Sequence, residues 1–551
     1  MKLSFFLSFF LYFAFAYNPY RDYVFCRYLQ ESKPQEALNF CLRALQKAPT
    51  PTLYVDTIRL LAVRKRFQEA LVYAERFKRE YPQDKEPYLV LHSIYVLKGD
   101  RQKALEALEE GYRANPNSKE IMIFLADEYI RRNRLQDAKD VLERLANLAV
   151  DNPLPYYMLA RIYLTEGKKE KAIEYLNKSL QIKKTFEAGF TTLGSIYEGE
   201  KEFSKAESLY LGVLREEPTN RTALERLANL YTITGRFQDA KDVYKRLVDY
   251  YPEQGYKLRY IYLLIRTSDF KEAEELAREL YSQEPNNLDI ALAYGVSLEA
   301  NKKTDQALKV YEKLLEQNPN NPKIMERLAV AYMDQKDYKK AEGLVKRALE
   351  LAPNNPDLNL LMANLLSEQE KNEEALPFVD KAIGLNPRDY RGYFLKAIIL
   401  DKLGRIIDAE RSLREAIKLN PDDPDLFNHL GYSLLLWYED ARLSEAEELI
   451  LKALNKDPEN PAYIDSYAWV LYYKGEYQRA YELLLKALEK EKEDPVIWEH
   501  IGDVLMKLNK KDQALDAYRK SWQLLEKGKR GEPGQKERLK EKLKHLCCTA
   551  F

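Results

Sequence analysis

A repeat with a step of 33, 34 or 37 residues runs through nearly the whole chain and confines it to repeat architectures. One alanine marks the step: Ala37, Ala70, Ala104, Ala138, Ala172, Ala206, Ala240, Ala273, Ala307, Ala341, Ala375, Ala409, Ala446, Ala480 and Ala514. A length of 551 residues would otherwise suggest several separate globular domains. A short internal period removes that expectation, because each repeat buries its apolar face only against its neighbours.

Each unit carries the same residue types in the same order. Most anchors are followed by a proline twelve residues later, as at Pro49, Pro116, Pro218, Pro319 and Pro421. Most are preceded by a small residue at the same distance, as at Ala126, Ala160, Gly194, Ala228, Gly295, Ala468 and Gly502. Two small residues facing each other let two helices approach closely where they cross. A large residue one turn on, such as Tyr129, Tyr231 or Tyr332, fills the groove beside the crossing. Proline lacks the backbone donor needed to continue the second helix, so it ends the unit. The turn between the two helices carries Gly99, Gly167, Gly235, Gly404 and Gly475, or else Asn133, Asn301 and Asn509, residue types that tolerate a left-handed backbone. Asp and Asn after the proline, as in Asn320-Asn321 and Asp422-Asp423, are placed to cap the next helix.

This period and these residue types resemble the tetratricopeptide repeat. The resemblance implies an all-α fold: an α-solenoid, coiled as a right-handed superhelix, of about fifteen helical hairpins over residues 17–527. In that family the first helix of each hairpin lines a concave groove and the second faces outward. Irregularities are legible too. The 37-residue step places a lengthened turn at Trp437–Arg442, and Lys184 stands where its unit should have proline. Residues 528–551 read as a linker, a charged capping helix over Lys536–Leu546, and a tail.

The first sixteen residues differ from the rest. Lys2 precedes an apolar run from Leu3 to Phe13, and Ala14-Phe15-Ala16 matches a signal-peptidase site, with cleavage expected after Ala16 and an uncleaved anchor as the alternative. That run falls short of the roughly 20 apolar residues a spanning helix needs. The expected address is the periplasm or cell envelope, an oxidising compartment that permits disulfides. Cys26 and Cys41 fall on the two helices of the first hairpin, where either a disulfide or two small core residues fits the pattern. The adjacent Cys547 and Cys548 read as part of a frayed tail. Lys+Arg and Asp+Glu both number 87, so no net field draws the chain toward nucleic acid.

No phosphate loop, metal-binding spacing or nucleophile motif stands out, so no enzymatic activity and no cofactor are expected. The expected partners are other proteins, held as segments or helices in the groove. Counting back fifteen, eleven and eight residues from each anchor gives the groove-facing stripe. It is apolar at Leu89, Ile123, Leu258, Leu292, Val296 and Ile398, where half-burial between successive first helices is the simplest reading. Tyr157, Phe394, Tyr432, Trp469 and Tyr472 add aromatic rings, and Arg161, Asn229, Asn364 and Asp465 add polar groups for a partner's polar ends. Segments Asn428–Tyr432, Ile464–Val470 and Trp498–Asp503 resemble a bacterial family of exported tetratricopeptide proteins linked to the cell envelope, in which Asp-Ser-x-x-Trp and His-x-Gly recur. That resemblance singles out Asp465, Ser466, Trp469 and His500. The resulting expectation is a scaffold for envelope assembly or maintenance. Removing the Trp469 and Tyr472 rings should then abolish partner binding and leave unfolding nearly unchanged. The alternative is a chaperone-like or spacer solenoid without a single cognate ligand.

Overall fold

The computed structural model describes residues 19–529, 531–532 and 534–546. The signal segment expected over residues 1–16 and the Cys547-Cys548 pair lie outside them. Among the described residues each period contributes a pair of helices, fifteen pairs in all, numbered here as hairpins 1 to 15 from Pro19–Tyr28 with Pro34–Lys47 to Pro495–Lys507 with Lys511–Glu526. The chain divides into two compact units, residues 1–263 and 264–551, with the division inside the helix Gln254–Arg266. In each unit every complete hairpin packs its two helices together, and away from the division second helices pack on the first helix of the following hairpin. A helix of 13 or 14 residues is marginal alone, so this stacking holds each one in place.

The helix crossings follow the small-residue pattern. Ala126 and Ala138 are fully buried against each other's helices. Where the small residue is Gly194, Gly295 or Gly502, the facing helix inserts a tyrosine instead: Tyr210, Tyr311 or Tyr518. A Cβ on Gly295 would lie 2.1 Å from Cε1 of Tyr311, so the missing side chain is what admits the ring.

The interhelix turn imposes its geometry on whatever residue occupies it. Gly99, Gly167 and Gly235 have φ of 81°, 72° and 73°, but Lys65, Lys201, Ser268, Lys302, Lys336 and Glu370 are also left-handed there. Lys302, with φ of 60°, takes the position expected for Asn301, and Asn301 instead donates its side-chain amide to Glu274. The expected caps are present. Asn321 Oδ1 accepts from the amides of Lys323 and Ile324 at 3.0 and 3.4 Å, and Asp423 Oδ1 accepts from that of Asp425 at 3.0 Å. The 37-residue step is absorbed by a first helix that runs on to Tyr438 and a 3-10 turn over Glu439–Arg442. Cys26 and Cys41 are joined by a disulfide across the first hairpin, with their Cα atoms 4.8 Å apart.

Candidate functional site: the first-helix face

The side chains singled out at the C-terminal end converge. Hairpins 13, 14 and 15 begin with Pro424–Tyr438, Pro461–Tyr473 and Pro495–Lys507, and neighbouring first helices touch along one face. From this face His500 Nδ1 meets both Asp465 oxygens at 2.9 and 3.1 Å, and its Nε2 meets the Tyr432 hydroxyl at 3.2 Å. Tyr432 donates its one hydroxyl hydrogen to Glu532 Oε1 at 2.6 Å, so it accepts from Nε2–H. Hydrogen on both ring nitrogens matches these partners, an arrangement that favours the imidazolium form of His500. Burial opposes that charge, but Asp465, with Glu532 and Asp503 nearby, outweighs it and pushes the pKa up to about 9. Trp469 stacks on Tyr472 at 4.5 Å and on His500 at 4.0 Å between ring centroids.

Residues after the last hairpin complete the cluster. Arg538 and Lys542, on the terminal helix Gln535–Leu546, pair with Glu499 at 3.3 and 2.8 Å, and Lys542 also reaches Asp503 at 2.7 Å. Glu499 is only 2% exposed. Burial would raise its pKa, but the two cations hold it below the ordinary carboxylate range. Arg538 also pairs with Glu532 at 2.7 Å. The described part of the linker and its helix therefore lie on the face read as a groove for partners. Gly528 and Lys529 line a cavity of about 410 Å³ together with Asn364 and Met333, from hairpins 10 and 11.

This alters the expectation for Trp469. At 8% exposure it is a core residue, packed with Tyr432, Tyr472, Leu434 and Val470, so deleting its ring disturbs the fold as well as the face. Asp465 and His500 are likewise buried. Phe394 meets the His429 ring edge-on at 5.0 Å, and Asn364 is exposed. In the N-terminal unit Tyr157 packs edge-on against Phe186 at 5.6 Å, with the exposed Arg161 guanidinium 6.0 Å from its ring centre. Asn229, two hairpins further on, accepts from the Tyr244 hydroxyl at 3.3 Å and does not join them. Leu89, Ile123, Leu258, Val296 and Ile398 are half-buried, as read from their spacing, whereas Leu292 is buried.

In a second stretch of this face the sequence singled out Leu89 and Ile123 but not their more exposed neighbours. The first helices of hairpins 2, 3 and 4, Thr50-capped Pro51–Val63, Glu86–Lys98 and Lys119–Arg131, form an apolar groove of about 810 Å³. Val63, Leu97 and Phe124 line it at 77%, 61% and 47% exposure. They stand beside the counted stripe: Val63 and Leu97 both lie seven residues before their anchors. That recurrence is the signal that would have found them. Among the described residues, no helix is long and apolar enough to cross a membrane, and no cluster of three metal-ligating side chains occurs.

Family profiles match the chain in consecutive stretches. Two profiles described as tetratricopeptide repeat match residues 298–365, and residues 258–322, 360–424 and 400–461. A profile for the tetratricopeptide repeat protein 21 C-terminal ARM domain matches residues 78–253, and one for anaphase-promoting complex, cyclosome, subunit 3 matches residues 439–521. No curated protein matches the chain. Among solved structures, the crystal structure of the APC/C hetero-tetramer Cut9-Hcn1 is similar at 16% identity and a TM-score of 0.44, over 90% of this chain and 98% of that one.

Proposed function

From the premise that the chain belongs to the tetratricopeptide-repeat family, we propose that it is a non-catalytic scaffold that holds segments of other proteins on its first-helix faces. Tetratricopeptide solenoids are protein-interaction scaffolds, and protein partners follow from the fold. The finer reading rests on the groove of hairpins 2 to 4. An aliphatic and aromatic patch at this exposure is costly to leave in water and suits the apolar side of a partner segment. The proposed address is an exported, oxidising compartment at the cell envelope. The N-terminal apolar run ending in Ala14-Phe15-Ala16 and the Cys26–Cys41 disulfide support it, and the resemblance of residues 428–503 supports a role in envelope assembly or maintenance.

The test is the double variant Leu97→Asp, Phe124→Asp, whose exposed positions spare the core. Cross-linked complexes from the native envelope, compared by mass spectrometry, should lose a discrete set of proteins in the variant. Retention of the same set would remove the groove from the mechanism. Broad, variant-insensitive binding of unfolded proteins would instead favour a chaperone-like or spacer role.

A further inference from the structure

A capping helix needs only an apolar side toward the last hairpin, and Leu539 and Leu543 supply it, both buried in that hairpin's core. The polar residues of the same stretch do something a cap does not require. Glu532 reaches back to Tyr432, two hairpins away, and Arg538 and Lys542 neutralise Glu499 and Asp503 on the first-helix face. Without those cations Glu499 would be a buried carboxylate without a counter-charge, a strongly unfavourable state. Without Glu532 the Tyr432 hydroxyl would lose its acceptor beside the cationic His500. The face of hairpins 13 to 15 thus has a defined chemical demand: a carboxylate over Tyr432 and His500, and two cations over Glu499 and Asp503.

One group in the cluster remains unmet. Trp469 Nε1 is buried and has no hydrogen-bond acceptor among the described residues, although its ring is held between other members of the face.

We propose that Glu532 and the helix Gln535–Leu546 are a tethered occupant of a protein-binding site on hairpins 13 to 15, and that the site's partner is a segment of the same charge order. That partner carries a carboxylate followed, six and ten residues on, by basic side chains, as Glu532, Arg538 and Lys542 are spaced. Tethering gives the resident segment a high effective concentration, so a partner enters only by displacing it. The face is then closed by default and opened by competition. This deepens the scaffold reading and rests on it, but concerns a different stretch from the groove of hairpins 2 to 4.

The experiment uses the full chain and a fluorescein-labelled peptide of residues 527–546, followed by anisotropy. The variant Glu532→Gln, Arg538→Gln, Lys542→Gln keeps Leu539 and Leu543 and loosens only the polar grip. It should bind the peptide at least tenfold more tightly than the unaltered chain, and adding Glu499→Gln should cancel the gain. Equal affinity of the two chains, with unchanged circular-dichroism melts, would overturn the proposal. A second arm covers misfolding of that variant. A protease site is inserted in the exposed turn after Lys527, leaving every contact residue unchanged. After cleavage the labelled peptide should replace the severed segment. A severed segment that never exchanges, or one whose loss unfolds hairpin 15, would make it a structural cap only. Either failure leaves the Leu97 and Phe124 capture result standing, and failure of that capture leaves the peptide exchange readable.

Discussion

Replacing Gly295 by alanine should destabilise the C-terminal unit, against the usual benefit of removing a helical glycine. Gly295 sits inside the helix Leu288–Ala300, where glycine-to-alanine alone would gain about 1 kcal/mol. The added Cβ would meet Cε1, Cζ and the hydroxyl of Tyr311 at 2.1, 2.4 and 2.7 Å. Ordinary carbon contacts begin near roughly 3.5 Å, so the ring would have to retreat by about 1 Å or more. It has nowhere to go: Tyr311 is fully buried and its hydroxyl donates to Glu299 at 3.2 Å. Overpacking of this kind costs about 1–3 kcal/mol, which leaves a net loss of about 1–2 kcal/mol or, at the mild end, near balance. Gly343 is the internal control. It lies exposed in the helix Tyr338–Leu351 with nothing within 4 Å of its virtual Cβ, so Gly343→Ala should stabilise by up to about 1 kcal/mol. Urea denaturation followed by circular dichroism reads both. Hydrogen exchange over hairpin 9 localises the effect, which matters because a repeat array need not unfold in one step. Truncating Tyr311 to leucine should remove the penalty of Gly295→Ala, a coupling of about 1 kcal/mol or more in a double-mutant cycle. If Gly295→Ala raised the midpoint as Gly343→Ala does, the ring-for-side-chain account of these crossings would be wrong.

Three further outcomes are expected. Burial raises the Glu299 pKa to about 7, so between pH 4.5 and 7 the folded state holds the extra proton and stability falls as pH rises; Glu299→Gln should stabilise increasingly over that window and hardly at all below it, read as melting temperature against pH. Lys336 has φ of 61°, and Lys336→Gly should raise stability by about 0.5–1 kcal/mol, because the left-handed penalty of a side chain exceeds the entropy glycine loses; a lower midpoint would show that the Lys336 side chain contributes more than its backbone costs. Reducing the Cys26–Cys41 bridge, which closes a loop of 15 residues, should cost the first hairpin about 3 kcal/mol, seen as faster amide exchange in Pro34–Lys47 with hairpins beyond the third unaffected.

Much of this architecture was legible because its causes are local. The anchor alanines, the prolines and the Asn and Asp caps act within one hairpin or between adjacent ones, so a single sequence shows them in register. The Asn301 turn was misplaced by one residue because the left-handed position is fixed by hairpin geometry, and Lys302 occupies it despite its side chain. Trp469 was read as partner-facing because stripe counting gives a direction along a helix but not the depth of what lies over it. Leu97 and Phe124 were passed over for the same reason, since exposure at the edge of a stripe depends on how far neighbouring helices splay.

Sequence alone thus determined the repeat, the helical hairpins and their order, since helix periodicity and turn chemistry are properties of neighbouring residues. Tertiary structure alone decided that Glu532 meets Tyr432, 100 residues earlier, and that Arg538 and Lys542 meet Glu499 and Asp503. Such contacts depend on the small rotation accumulated from one hairpin to the next, which no single repeat encodes. Over hairpins 13 to 15 that accumulation filled the surface read as an open groove.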